Sequence, residues 1–308
     1  MGLAHRTFPF QDSTAVHYLS QLERSTSLLT LLLVTALLAA WGCQSSGDRP
    51  ASESLSDAQQ ALAEGDDATA RSLAEDVRDD ETHQIQAEQI LAELRRERAQ
   101  DFRDAGDAKQ AYHLFLEAAS LETRRALRGQ DLKDALQSGV EARIATEDLL
   151  ELGQKALQDR PQDPDIHRVM ARSAEETHDT ARALRHYLWL FSADSTDLQS
   201  GLRLGILYRA EQRPRDAAAV FSRLGEHHPE DTQLTLQQAQ TLAELDDFEE
   251  ARQLFDILLE RHPDHPGLLR QIAQFEARRG NNEASQRYTE KAVEASETVD
   301  PREMRPLR

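Results

Sequence analysis

The chain has 308 residues, 39% hydrophobic and only 5% aromatic, with a formal net charge of −19. That balance argues against a nucleic-acid partner, because phosphates are held by clustered Lys and Arg; the lysines are just Lys109, Lys133, Lys155 and Lys291, and no basic run exists. A single cysteine, Cys43, rules out a disulfide within the chain.

The first element in chain order is Leu28 to Ala40, apolar or small throughout except Thr30 and Thr35. Its length suits a signal-peptide core and falls short of the roughly 20 residues of a membrane-spanning helix. It runs into Ala39-Ala40-Trp41-Gly42-Cys43-Gln44-Ser45-Ser46. Small residues leading to Gly-Cys and then a polar stretch resemble a bacterial lipoprotein lipobox. The resemblance implies that residues 1–42 are removed and that Cys43 becomes the lipidated first residue. Gln44, where an Asp favours inner-membrane retention in that family, implies sorting to the outer membrane. Ala40 and Trp41 depart from the usual pattern. The segment before the apolar run carries Arg6, Arg24, Asp12 and Glu23 and is neutral where a positive charge is expected; a start assigned too far upstream accounts for this. An uncleaved anchor from about Ser25 to Gly42 is the other reading of the same residues.

Residues 43–56 read as a flexible tether rich in Ser, Gly, Pro and acid. From 57 onward, apolar residues recur every three or four positions between breakers, which predicts helices almost throughout. Ala171, Gly205, Ala239 and Ala273 stand 34 residues apart. Around Gly205 lie Leu204, Tyr208, Ala217, Phe221, Leu224 and Pro229; around Ala239 lie Leu242, Asp246, Asp247, Ala251, Phe255, Leu258 and Pro263. Similar sets surround Ala171 (Ala174, Ala183, Tyr187, Leu190) and Ala273 (Gly280, Asn281, Asn282, Ala284, Tyr288, Ala292), the last with a turn one residue short. Ala99, Phe102, Gly106, Asp107, Ala111, Phe115 and Ala118 form an earlier copy. Ala58, Ala61, Gly65, Asp66, Ala70, Ala74 and Val77 form a faint one, and 130–163 reads as a degenerate helical pair.

This pattern resembles the tetratricopeptide repeat. The resemblance implies an all-α helical-hairpin solenoid, a superhelix of about six to seven repeats, whose small residues let paired helices approach closely. It sets 57–127 as degenerate N-terminal repeats, 128–298 as the regular array and 299–308 as a tail.

Motifs of catalysis are missing: no phosphate-binding Gly-rich loop, no His-Glu-x-x-His and no Gly-x-Ser-x-Gly elbow. The expectation is therefore no enzyme, no cofactor and no small-molecule substrate. His227, His228, His262 and His265 fall on equivalent turns, but without an acid or Cys ligand pattern they read as helix-end residues rather than a metal site. His113 and Glu117, four apart on one helix, read as a solvated pair.

In the resembled family the first helix of each unit lines a concave surface. Its register here selects Arg168, Arg172, Leu202, Ile206, Arg209, Leu236, Gln240, Arg270, Gln274 and Arg278 as protein-binding residues, with the Leu and Ile as an apolar floor. Counted with Asp165, Glu175, Glu176 and Glu244 of the same register, that face sums to +1, whereas 53–107 sums to −10. The predicted partner is a protein or peptide segment in the groove, paired through Arg. The resulting expectation is a lipid-anchored scaffold of the cell envelope, on the outer membrane and facing the periplasm. It would help assemble an envelope machine such as a pilus, a secretion system or an exopolysaccharide exporter. An adaptor of envelope enzymes and a soluble cytosolic repeat protein are the alternatives.

Overall fold

The computed structural model describes residues 49–298, so the lipidation site at Cys43, the apolar run and the 299–308 tail lie outside the described residues. Within them there are fourteen α-helices and no strand. The chain divides into two compact units, one ending at Ile90 and the other beginning at Leu91.

The first unit holds α1 (Ala51–Glu64), α2 (Asp67–Asp76) and the start of α3 (Gln84–Asp104). α1 starts inside the segment read as a tether. Pro50 sits at its N-cap, Glu53 complements the dipole in the first turn, and Ser54 and Leu55 are buried. Composition alone missed only its first six residues, 51–56, because Ser and Glu serve a first turn as well as a linker. Ala58, Ala70 and Ala74 are fully buried, so α1 and α2 pack through alanines.

The second unit continues with α4 (Ala108–Leu121), α5 (Arg125–Glu141), α6 (Thr146–Asp159), α7 (Pro164–Glu176) and α8 (Thr180–Ala193). It ends with α9 (Leu198–Ala210), α10 (Pro214–Gly225), α11 (Thr232–Glu244), α12 (Phe248–Arg261), α13 (Pro266–Arg278) and α14 (Asn282–Thr298). The stretch from Gln84 to Asp104 is a single helix of 21 residues, α3.

Two local devices repeat. Each hairpin turn holds one residue in the left-handed region: Gly65, Gly106, Arg143, His178, Gln212, Asp246 and Gly280, with φ between 55° and 81°. From His178 onward these are 34 residues apart. The left-handed residue ends one helix and lets the chain reverse. An aspartate often opens the next helix: Asp66, Asp107, Asp163, Asp179, Asp197 and Asp231 each accept a backbone N–H with the side chain. These six acids therefore sit where helix N-termini need an acceptor.

The last turn is not short. Residues 279–281 match 177–179, 211–213 and 245–247 in length. What changes is the face: Tyr288 stands 34 residues after Leu254 rather than Phe255, so the inward stripe of α14 has moved by one residue. The degenerate pair α5–α6 has a longer turn, 142–145.

The small residues of the 34-residue ruler sit at helix crossings. Ala171 and Ala239 are fully buried. A Cβ at Gly205 would come closer than 3.0 Å to the Phe221 ring of α10. Phe115, Phe221 and Phe255 are at most 1% exposed and fill the spaces between helices. A continuous apolar core runs from Ala99 to Leu234, followed by clusters around Phe255 and around Ala292.

Candidate interaction surface

In the second unit, first helices of successive hairpins are joined by polar bridges. Arg96 pairs with Asp131 (2.6 Å), Arg103 with Asp134 (2.9 Å) and Lys133 with Asp165 (2.7 Å). Arg168 reaches Asp197 (3.5 Å), Arg209 grips Glu244 through Nε (3.1 Å), and Gln240 donates to Gln271 (3.1 Å). Residues on adjacent repeats face each other because both occupy the same register one period apart. The ladder consumes much of the positive charge that the sequence assigns to the groove.

The residues predicted for binding separate accordingly. Arg209 is saturated, since its guanidinium also donates to Gln237 (2.7 Å) and Gln240 (2.9 Å). Arg168 is shared between Asp165 and Asp197. Arg278 donates to the Glu244 carbonyl (3.1 Å) and Arg270 to Ser296 Oγ (2.9 Å). Among the described residues Arg172 donates to a neutral acceptor alone, Gln199 Oε1 (2.9 Å). Leu202, at 8% exposure, belongs to the core cluster. Ile206 and Leu236 are half-buried against the core.

Two depressions result. One, of about 470 Å³, lies between α7 and α9 and brings Arg168 and Arg172 together with Glu175, Gln199, Tyr187 and Arg203. Tyr187 was read only as a repeat residue of the set around Ala171, and Arg203 was not singled out. The Tyr187 hydroxyl donates to Glu175 Oε2 (2.6 Å), and burial, aided by that carboxylate, pushes it above the usual phenol range. The other, of about 270 Å³, joins Arg209, Gln240, Gln274 and Arg278 over the rings of Phe255 and Phe275.

The histidines expected at helix ends include two caps, His262 at the C-cap of α12 and His265 at the N-cap of α13. His228 bonds the Thr196 carbonyl (2.7 Å), His262 approaches Thr232 Oγ1 (3.5 Å), and His265 caps α13 by accepting from Leu268 N–H (3.1 Å). Glu117 pairs with Arg95 rather than with His113. Among the described residues no group of three His, Cys, Asp or Glu is arranged to hold a metal.

A second histidine arrangement had no sequence signal. His167 of α7 is 7% exposed, and its ring lies parallel to Trp189 at 3.8 Å. Its Nε2 is 3.0 Å from the Pro161 carbonyl, which can only accept, so Nε2 carries the proton. Nδ1 is then bare and accepts from His186 Nδ1–H at 2.9 Å. Burial holds His167 below the ordinary histidine value and His186 down to about 4. Both rings are thus neutral over the physiological range.

Comparison with known proteins agrees with this geometry. Residues 202–266 and 236–298 match the tetratricopeptide repeat family model. Among solved structures the chain is similar to a tetratricopeptide repeat protein from Parabacteroides merdae ATCC 43184, at 20% identity over 66% of this chain and 79% of that one, with TM-score 0.53. It is similar to MamA 41-end from Desulfovibrio magneticus RS-1, at 13% identity over 56% and 97%, TM-score 0.50. It also resembles YrrB, described as a tetratricopeptide repeat protein with an unusual peptide-binding site, at 19% identity over 60% and 93%, TM-score 0.50. No curated protein matches the sequence. At such identities the likeness speaks to the fold. The stretch 202–298 is thus built of tetratricopeptide repeats, and the described chain has the all-α helical-hairpin repeat fold to which they belong.

Proposed function

We propose that the chain is a lipid-anchored scaffold of a bacterial envelope, tethered through Cys43 and holding segments of partner proteins on the first-helix face of its repeats. The observation that carries the binding role is the pair of polar depressions between successive first helices, each with Arg and Gln groups beside buried aromatic rings. Such lining suits a backbone and carboxylates better than a small apolar molecule. The description of YrrB as holding a peptide supports the same use of this fold. The Gly42-Cys43-Gln44 sequence supports the anchor and outer-membrane sorting, and the assembly of an envelope machine is the role these two features fit together.

Two experiments test the two halves. Metabolic labelling with palmitate should mark the wild-type chain and leave Cys43→Ser unmarked; equal labelling of both removes the anchor. Arg172→Glu with Arg270→Glu breaks no ion pair among the described residues, where these side chains bond Gln199 and Ser296. The set of crosslinked partners should change, and an unchanged set rejects the face.

A further inference from the structure

Beside the α7–α9 depression lies another of different character. The long 142–145 turn leaves a hollow of about 480 Å³ against α7, with Val140, Ile144, Leu149 and Val169 as its apolar lining. Val140 is 47% exposed, an unusual state for a large aliphatic side chain on the first helix of a hairpin. Leu149 is anchored beneath, within 2.7 Å of where a Cβ on Gly139 would stand. Arg143 and Arg172 border the hollow. Among the described residues neither pairs with a carboxylate, while the cations of the ladder do. Glu176, also at the rim, is held by the Thr146 hydroxyl (3.1 Å).

We infer that this hollow is the specificity pocket of the binding face: it takes one bulky aliphatic or aromatic side chain of a partner segment whose neighbouring residues are acidic. The inference rests on the proposed binding of protein segments and adds where the anchor residue enters and what flanks it. The apolar floor rewards removal of a large side chain from water, and two guanidinium groups without carboxylate partners set the charge of what comes next to it. Because the hollow shares Arg172 and Glu176 with the α7–α9 depression, a segment leaving it runs directly over Gln199 and Arg203. The degenerate hairpin α5–α6, the one that breaks the repeat register, is thereby the part that selects the partner.

The probe is a phage-displayed random peptide library panned on the full chain in detergent, with enriched peptides then measured by fluorescence anisotropy. The expected enrichment is a large apolar residue flanked by Asp or Glu. Val140→Asp and Arg143→Glu alter exposed side chains and should each weaken these peptides at least about tenfold; circular dichroism verifies that the variants stay folded. Equal affinity for wild type and Val140→Asp overturns the pocket. If binding is then lost in Arg270→Glu, which lies outside the hollow, the broader reading stands without it. No enrichment, or enrichment of basic peptides, removes both.

Discussion

Acid should loosen the α7–α8 hairpin through His186, and by an amount that can be worked out. The folded state favours the neutral ring, since burial takes its pKa from 6.5 to about 4, with His167, Arg182 and Arg185 adding to the shift. On the other side of the pair, Asp163 faces His167 and acts to raise it, but burial outweighs that carboxylate. In the unfolded chain the ring titrates at its ordinary value. Stability from this residue is therefore complete above pH 6.5 and is lost as pH falls from 6.5 towards 4. At pH 5 the unfolded ring is almost fully protonated and the native ring about one-tenth so. Integrated from pH 7 to pH 5, the difference is at most about 2 kcal/mol for a partly solvated site. His167 adds to it in the same direction.

Trp189 reports on this place, because it stacks on His167, and Trp41→Phe removes the second tryptophan. Urea unfolding followed by Trp189 fluorescence, at pH 7 and pH 5, should show the wild type losing more stability than His186→Asn. Subtracting the variant removes the contribution of titrating groups away from the His167–His186 pair. Equal losses in the two proteins refute the buried neutral pair.

Three further outcomes follow from the fold. Gln212 is left-handed at φ 59°, so Gln212→Gly should raise stability by about 1 kcal/mol, read as a higher thermal midpoint. Asp231 accepts from Leu234 N–H at 2.7 Å while Asp247 makes no side-chain cap; Asp231→Ala should cost about 1 kcal/mol in urea unfolding and Asp247→Ala clearly less. Arg96→Met strands the fully buried Asp131 and should cost about 3–5 kcal/mol at pH 7. That cost should shrink as pH falls, since burial already holds the Asp131 carboxyl above its ordinary range.

The fold was legible because its signals are local and periodic. A small residue every 34 positions marks helix crossings, and left-handed turn residues with aspartate caps punctuate the helices. Where the period failed, at 130–163, the reason is visible: the turn lengthens, and Gly139 rather than a 34-register residue makes the close approach. The last hairpin misled in the opposite way. Ala284 and Tyr288 slipped on the helix face and looked like a deleted turn residue.

The interaction surface was less legible because its chemistry is non-local. The register placed Arg168, Arg172 and Arg209 on one side of successive helices, but their engagement depends on partners 27 to 35 residues away. Charge counting cannot tell a guanidinium locked on Glu244 from one facing only Gln199. The His167–His186 contact joins two helices at a separation of 19 residues, with no spacing rule to announce it. Val140 and Ile144 fell inside the stretch read only as a degenerate helical pair, though they line an apolar hollow there.

The central claim is that partners are held on the first-helix face. The most direct measurement places a photoreactive benzophenone residue at position 172, at 274, or at the exposed Leu188 of second helix α8, in the full chain within its native envelope. Adducts are digested and the joined peptides sequenced. The account predicts discrete adducts from 172 and 274, joined to the same partner segment, and none of these from 188. Adducts that form equally from 188, or only from 188, contradict it.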